Sequence, residues 1–318
     1  MSRTVVVTGA GGFLGGHLVG ELHRQGVDLR AVDKKPVADW HQIHDVDNLV
    51  ADLRDSDASS NALRKAWAVY HLAADMGGIG YITRHDWDCA SSVTITRNVL
   101  DAAIRAGCGQ ILYTSSACIY PVAFQGSAAK PLKEELALPA APEGGYGWEK
   151  LYSERLCRYA ADVSGMDVRI ARLFNVFGPH GDWRGGREKA PAALCRKLLE
   201  AERRSDKQVR VWGDGTQRRS FLYVTDCIRG LLLLMQSPVT NPINIASEEL
   251  VSIPRLVELT SQVAGVRVEA VFDERMPIGV HSRVPDIQAA REHLNWSASV
   301  PLEEGIQCTY AWIKEQMQ

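Results

Sequence analysis

Thr4-Val5-Val6-Val7-Thr8-Gly9-Ala10-Gly11-Gly12-Phe13-Leu14-Gly15 decides the fold class of this chain. An apolar, strand-forming run enters a glycine turn, and the turn opens a helical pattern from Phe13 to Gln25 that Gly26 stops. Gly9, Gly12 and Gly15 are spaced G-x-x-G-x-x-G. A turn placed directly after a strand needs a residue free of Cβ clashes, and a diphosphate can approach only bare backbone. The helix that follows offers free N–H groups and a partial positive charge to an anion. A glycine triplet alone is weak evidence, but between a strand and a helix it marks a dinucleotide site.

Outward from this unit the same alternation repeats. Leu29–Val32 reads as a second strand, Asn48–Val50 as a short third, Ala68–Leu72 as a fourth, Gln110–Tyr113 as a fifth and Val168–Ala171 as a further buried one. Val93–Ala106, stopped by Gly107, and Tyr146–Ala161 read as helices. The pattern predicts an α/β protein: a Rossmann-like, doubly wound parallel sheet with right-handed crossovers. Beyond Asn175, Gly, Pro and charge become more frequent and the elements look mixed. The expected division is a dinucleotide-binding domain of residues 1–175 plus about 221–247, and a smaller mixed α/β substrate domain of 176–220 and 248–318.

Composition narrows the function. The 318 residues are 46% apolar, enough for such a core. A net charge of -2, from 36 basic and 38 acidic residues, does not suit a protein that coats nucleic acid or an anionic membrane. The most apolar stretch, Leu231–Met235, is far short of the roughly 20 residues a membrane helix needs, and the start of the chain carries no signal-peptide pattern. Seven widely spaced cysteines without a C-x-x-C argue against a disulfide framework and against a metal site. A soluble, cytoplasmic protein is expected.

Asp33 ends the second strand, 18 residues after Gly15. A carboxylate there can accept both ribose hydroxyls of NAD and would repel the 2′-phosphate of NADP, although Lys34 and Lys35 could pair with that phosphate. NAD is the favoured cofactor. Asp52, before Leu53, could hold the adenine amino group or be an ordinary solvated loop acid. Tyr146-Gly147-Trp148-Glu149-Lys150 is a Y-x-x-x-K pattern, which on a helix sets the two side chains on one face. An ammonium beside a phenol is expected to lower the phenol pKa from about 10 toward neutrality. The phenolate could then take a proton from a substrate hydroxyl. Thr114-Ser115-Ser116 ends the preceding strand, where the Ser116 hydroxyl could orient the same alcohol.

Together, the glycine turn, Ser116, Tyr146 and Lys150 resemble the short-chain dehydrogenase/reductases. The long C-terminal region resembles their extended branch, which acts on nucleotide sugars. Longer motifs sharpen the resemblance: Ala73-Ala74-Asp75-Met76-Gly77-Gly78-Ile79-Gly80, Ser115-Ser116-Ala117-Cys118-Ile119-Tyr120-Pro121, Gly185-Gly186-Arg187-Glu188-Lys189-Ala190-Pro191 and Trp212-Gly213-Asp214-Gly215-Thr216-Gln217-Arg218-Arg219-Ser220-Phe221. Over nearly the whole chain these are similar to the GDP-mannose 3,5-epimerase family. That resemblance implies transient C4 oxidation of GDP-mannose by NAD, with Tyr146 as the hydroxyl base. Cys118 would be the base and Lys189 the acid at the carbons that the C4 ketone acidifies. Other readings of these two are a small core thiol and a diphosphate contact. The cofactor set becomes Gly9, Gly12, Phe13, Leu14, Gly15, Asp33, Asp52, Leu53, Ala73, Tyr146 and Lys150. The substrate set becomes Gly78, Ser116, Tyr146, Asn175, Glu188, Lys189, Lys197, Arg219 and Arg283, with Arg283 meeting the diphosphate. Eleven Lys or Arg against five Asp or Glu between Arg184 and Arg219 agree with a dianionic ligand. Family habit implies a homodimer.

The chain departs from the family pattern at His281-Ser282-Arg283, where one phosphate arginine is missing, and at Ser91-Ser92, where an asparagine pair is usual. A 4-epimerase or 4,6-dehydratase on a UDP- or dTDP-sugar shares the fold and triad but needs neither Cys118 nor Lys189. A nonenzymatic NAD(H)-sensing module on the same fold would typically lack Tyr146 or Lys150.

Overall fold

The computed structural model describes residues 3–276 and 278–318. Its centre is a parallel sheet of β1 (Thr4–Thr8), β2 (Leu29–Asp33), β3 (Asp47–Val50), β4 (Ala66–His71), β5 (Gln110–Ser116), β6 (Asp167–Leu173) and a short strand at Ile243–Ile245. From one edge the order is β3-β2-β1-β4-β5-β6 and then the 243–245 strand. The helices that matter below are α1 (Phe13–Arg24), α2 (Ser56–Ala62), α3 (Ile79–Ile82), α4 (Asp86–Ala90), α5 (Ser92–Arg105), α6 (Gly144–Ser164), α7 (Ala190–Arg204) and α8 (Val224–Gln236).

Successive side chains of a strand point to opposite faces, so a strand covered on both sides must be apolar at every position. β1 shows why. Val7 packs with Leu18 and Leu22 of α1 and Leu231 of α8, whereas Val6 packs with Val99 and Leu100 of α5. Both valines are fully buried. Hence the unbroken apolar run in the sequence.

β5 closes at Ser116, as the sequence indicates, and α6 begins at Gly144, just ahead of the expected start, which puts Tyr146 in its first turn. A third apolar cluster joins α7 to the helices Ile253–Ala264 and Leu302–Gln316. Beside it lie a parallel pair, Gln208–Trp212 with Glu269–Asp273, and an antiparallel pair, Arg218–Ser220 with Leu250–Ser252. One stretch differs from the expected division. Ile287, Ala290, Leu294 and Trp296 fill the core beside α8, and the Trp296 indole donates to the Asp226 carbonyl at 3.2 Å. That short apolar face is satisfied by the first core rather than the second.

Among the described residues no helix is long and apolar enough to cross a membrane, and no group of three or more His, Cys, Asp or Glu is placed to hold a metal ion.

At the head of β4, His71 is fully buried between Thr8, with Nδ1 2.8 Å from Oγ1, and Thr96, with Nε2 3.2 Å from Oγ1. Burial, aided by the Lys150 charge, pushes its pKa down to about 3. The unfolded chain binds a proton at His71 near pH 6.5 and the folded chain resists it, so this residue destabilises the fold as pH falls below 6.5, until the folded group also protonates. The whole window is of order 5 kcal/mol. Melting temperature should drop steadily between pH 6.5 and 4, and His71→Gln should flatten that slope.

Candidate active site

The C-terminal ends of the parallel strands open into one cavity of about 890 Å³, the usual place for a ligand in an open α/β sheet. Every candidate residue singled out from the sequence lines it.

The cofactor end is built around the first turn. Gly9 has φ +72°, and a Cβ on Gly15 would sit 2.1 Å from the Gly9 carbonyl oxygen. No side chain caps α1, whose N-cap is Gly12, so its leading amides face the cavity. Asp33 accepts from the Gly11 amide at 3.0 Å and the Lys35 amide at 3.0 Å, which fixes the carboxylate at the end of β2. Lys35 donates its ammonium to the Gly11 carbonyl at 2.5 Å. It is thereby bound within the turn. Asp52 is tied to Arg54, which holds its carboxyl below the usual range. Leu53 is buried, and Ala73 donates its amide to Thr8 Oγ1 at 3.2 Å. Bare backbone, an open helix start and an ordered acid fit a dinucleotide. Gly15→Ala should abolish NAD binding and lower the melting temperature, because the clash is with backbone that cannot move aside; calorimetric titration with NAD reads the first effect.

At the middle lies the redox set. Ser116 closes β5, accepts from the Cys118 amide at 3.2 Å and sets its hydroxyl near the Tyr146 phenol. Lys150 sits one turn after Tyr146, its Nζ 5.8 Å from the centre of that ring and 4.9 Å from the Tyr113 ring. It donates to the Thr114 carbonyl at 3.1 Å and lies 4.0 Å from Glu149. The expected lowering of the phenol pKa is not what this surrounding does. Burial pushes Tyr146 well above 10, Cys118 and Glu149 add to the rise, and the nearby Ser116 hydroxyl opposes it. The Lys150 charge is shared with Glu149 and with its carbonyl partner, so it does not dominate the phenol.

Beyond Ser116 a single 3₁₀ turn, Ala117–Ile119, carries Cys118 into the same cavity. Its thiol lies 3.5 Å from Arg283 Nη1. Lys189 is the N-cap of α7. Its ammonium has no hydrogen-bond or ion-pair partner among the described residues. Burial lowers its pKa from 10.5, against the opposing pull of the Cys118 and Cys227 thiols, so the amine and Cys118 lie within electrostatic reach of each other.

The substrate set is more committed to protein than its sequence positions suggest. Arg283 donates to Gln125 Oε1 at 2.6 Å and to Glu143 Oε2 at 2.7 Å besides facing the thiol. It therefore stands at the Cys118 end of the cavity. Arg219 donates to the carbonyls of Arg218, Ile278, Val280 and His281, and burial brings its pKa down to about 10. Asn175 donates to the Ser220 carbonyl at 3.0 Å, Lys197 to the Arg210 carbonyl at 2.8 Å, and Glu188 accepts from the Gly186 amide at 2.6 Å. Gly78 meets the opposite loop so closely that a Cβ would lie 2.4 Å from the Glu188 carbonyl oxygen. Gln125, Glu143 and Asp75 were not legible as site residues. Asp75 lies in the Ala73–Gly80 motif without a role assigned to it, and Glu143 is an acid three residues ahead of Tyr146.

A doubly wound parallel sheet with an open glycine turn, a serine at the end of β5, and a tyrosine and lysine one turn apart on α6 defines a short-chain dehydrogenase/reductase scaffold. Residues 5–246 match the model of the NAD dependent epimerase/dehydratase family. The chain belongs to that family, and its cofactor is NAD. It is 38% identical over 328 residues to GDP-mannose 3,5-epimerase 1 of Oryza sativa subsp. indica, covering 99% of this chain and 82% of that protein. The identity to GDP-mannose 3,5-epimerase of Arabidopsis thaliana is 37% over 326 residues, covering 99% and 83%. Among solved structures, UDP-glucuronic acid 4-epimerase from Bacillus cereus, in complex with UDP-glucuronic acid and NAD, matches with a TM-score of 0.85 at 25% identity, covering 98% of this chain and 99% of that one. UDP-glucose 4-epimerase of Thermotoga maritima shares the fold with a TM-score of 0.88 at 24% identity, covering 99% and 100%.

Proposed function

We propose that the protein epimerises GDP-mannose at C3 and C5, giving GDP-L-galactose, or at C5 alone, giving GDP-L-gulose. The observation that carries the reading is an unpaired ammonium, Lys189, electrostatically coupled to a buried thiol, Cys118, in the cavity that holds Ser116, Tyr146 and Lys150. A simple 4-epimerase has no use for that pair. The likeness to the two plant GDP-mannose 3,5-epimerases points the same way.

NAD, when bound, supplies the acceptor and later the donor of the C4 hydride. Tyr146 takes the C4 hydroxyl proton, with Ser116 orienting that oxygen and Lys150 fixing the helix face on which Tyr146 stands. The C4 ketone acidifies the hydrogens at C3 and C5, because their carbanions delocalise as enolates. Cys118 removes a proton from one face of the sugar, and Lys189 returns one to the other. Arg283 stands beside the sulfur, its Nη1 3.5 Å from Sγ. Asn175, Glu188, Lys197 and Arg219 line the side of the cavity assigned to the nucleotide.

The test is incubation with GDP-mannose in heavy water and identification of the products by NMR. Deuterium at C5 in an inverted sugar supports the reading. C4 inversion without label, or turnover of UDP-sugars alone, assigns the chain to the 4-epimerases.

We place the protein in the cytoplasm as a homodimer. Trp148, Tyr152, Tyr159 and Val163 leave an exposed apolar stripe along α6, and Trp87 of the adjoining α4 is 89% exposed. Sedimentation should give twice the 35.0 kDa of one chain.

A further inference from the structure

Lys189 raises a positioning problem. It stands at the end of a loop, not on a strand, and no side-chain partner holds its ammonium among the described residues. Upstream, Gly185 and Gly186 both have φ +88° and nothing near the place of a Cβ, so the backbone there has room to swing. Proton delivery to one face of a carbon tolerates little error, since about 1 Å of misplacement costs on the order of 100-fold.

Two residues before Lys189, Arg187 is gripped from the other side of the cavity. Its Nη1 donates to Asp75 Oδ1 at 3.0 Å and to the Met76 carbonyl at 2.7 Å. Its guanidinium lies 3.6 Å from the centre of the Tyr81 ring. Its carbonyl accepts from the Gly78 amide at 2.9 Å. The anchor is itself held: Tyr81 donates to Asp75 Oδ1 at 2.9 Å and stacks on His85 at 4.1 Å, and the Asp75 amide donates to Ser92 Oγ of α5 at 2.8 Å. The guanidinium thus meets a carboxylate, a carbonyl and a ring face at once, which a lysine could not reproduce.

We infer that Asp75 and Arg187 form a clamp that positions Lys189 opposite Cys118 for proton delivery to the inverted carbon. The inference rests on the reading of Lys189 as the acid. Neither clamp residue needs to touch the sugar; they act through the backbone of 187–189. Cys118 hangs from β5 and does not depend on the clamp, so the two proton transfers should come apart when it is broken.

The experiment measures three quantities in heavy water with GDP-mannose: NADH formed in a single turnover, deuterium entering C5 of recovered substrate, and inverted product. Arg187→Gln and the milder Asp75→Asn should each cut inverted product about 100-fold. NADH formation and deuterium wash-in should stay within about threefold, because Tyr146 and Cys118 still work and the thiol exchanges with solvent. The charge swap Asp75→Arg with Arg187→Asp should recover part of the inversion. Equal loss of all three quantities, or inversion within about threefold of the unaltered enzyme, overturns the clamp. Lys189→Met separates the two failures. If that variant still inverts C5, the acid has been misassigned. If it loses inversion while the clamp variants do not, only the clamp falls.

Discussion

Cys118→Ala should leave NAD binding and C4 oxidation in place while removing both deuterium wash-in and inversion at C5. The expected loss is about 100- to 10,000-fold, the range for removing a positioned general base. The substitution is gentle on the fold: Cys118 belongs to a small cluster with Ile82, Cys89 and Tyr146, and alanine keeps the 3₁₀ turn that Ser116 caps through the backbone amide. Its effect on Tyr146 has the helpful sign. The thiol adds to the rise of the phenol pKa, so its removal should ease deprotonation of Tyr146 and leave the first step no slower. NADH formed in a single turnover, read beside C5 label by NMR, separates the steps. C5 exchange persisting in this variant would take Cys118 out of the mechanism.

The same variant probes Arg283. Its guanidinium is held by Gln125 and Glu143 whether or not the sulfur is present, and the nearby Cys118 and Glu143 keep it protonated against the cost of burial. Such a buried, doubly anchored cation is a fixed charge beside the base. The sequence implied a diphosphate contact at this position, and the structure adds three protein partners that no local pattern could announce. Gln125 lies 158 positions away and Glu143 lies 140.

That contrast marks what could be read from the sequence. The turn at Gly9–Gly15 was legible because a strand, its glycines and the helix start are adjacent, and their chemistry is carried by backbone alone. Tyr146 and Lys150 were legible because four residues make one helical turn. The pairing of Asp75 with Arg187 crosses 112 positions and depends on which loops meet over the cavity. The direction of the Tyr146 pKa depends on burial, which is the sum of every packed neighbour. Local spacing named the nearest cation and missed the larger desolvation. Ile287–Trp296 joined the first core for a similar reason: an apolar face does not say in advance which hydrophobic surface will cover it.

Tyr146→Phe should block C4 oxidation, and the structure says how that block should depend on pH. In the intact site the phenol is pushed above its ordinary range, so the fraction ionised is small near neutrality and rises with pH. If the phenolate is the base, the rate of C4 oxidation should climb as pH rises and fall away on acidification. Phenylalanine keeps the ring that packs beside Cys89 and Lys150 but has no proton to lose. Its residual rate should be about 100- to 10,000-fold lower and should lose the alkaline rise. NAD should still bind, because the glycine turn and Asp33 remain; Tyr146 is one contact of the cofactor set, so affinity should fall far less than the rate. Single-turnover NADH absorbance from pH 6 to about 9 reads the rate, and calorimetric titration reads the affinity; a variant that oxidises C4 with the original pH profile would move the base to another group.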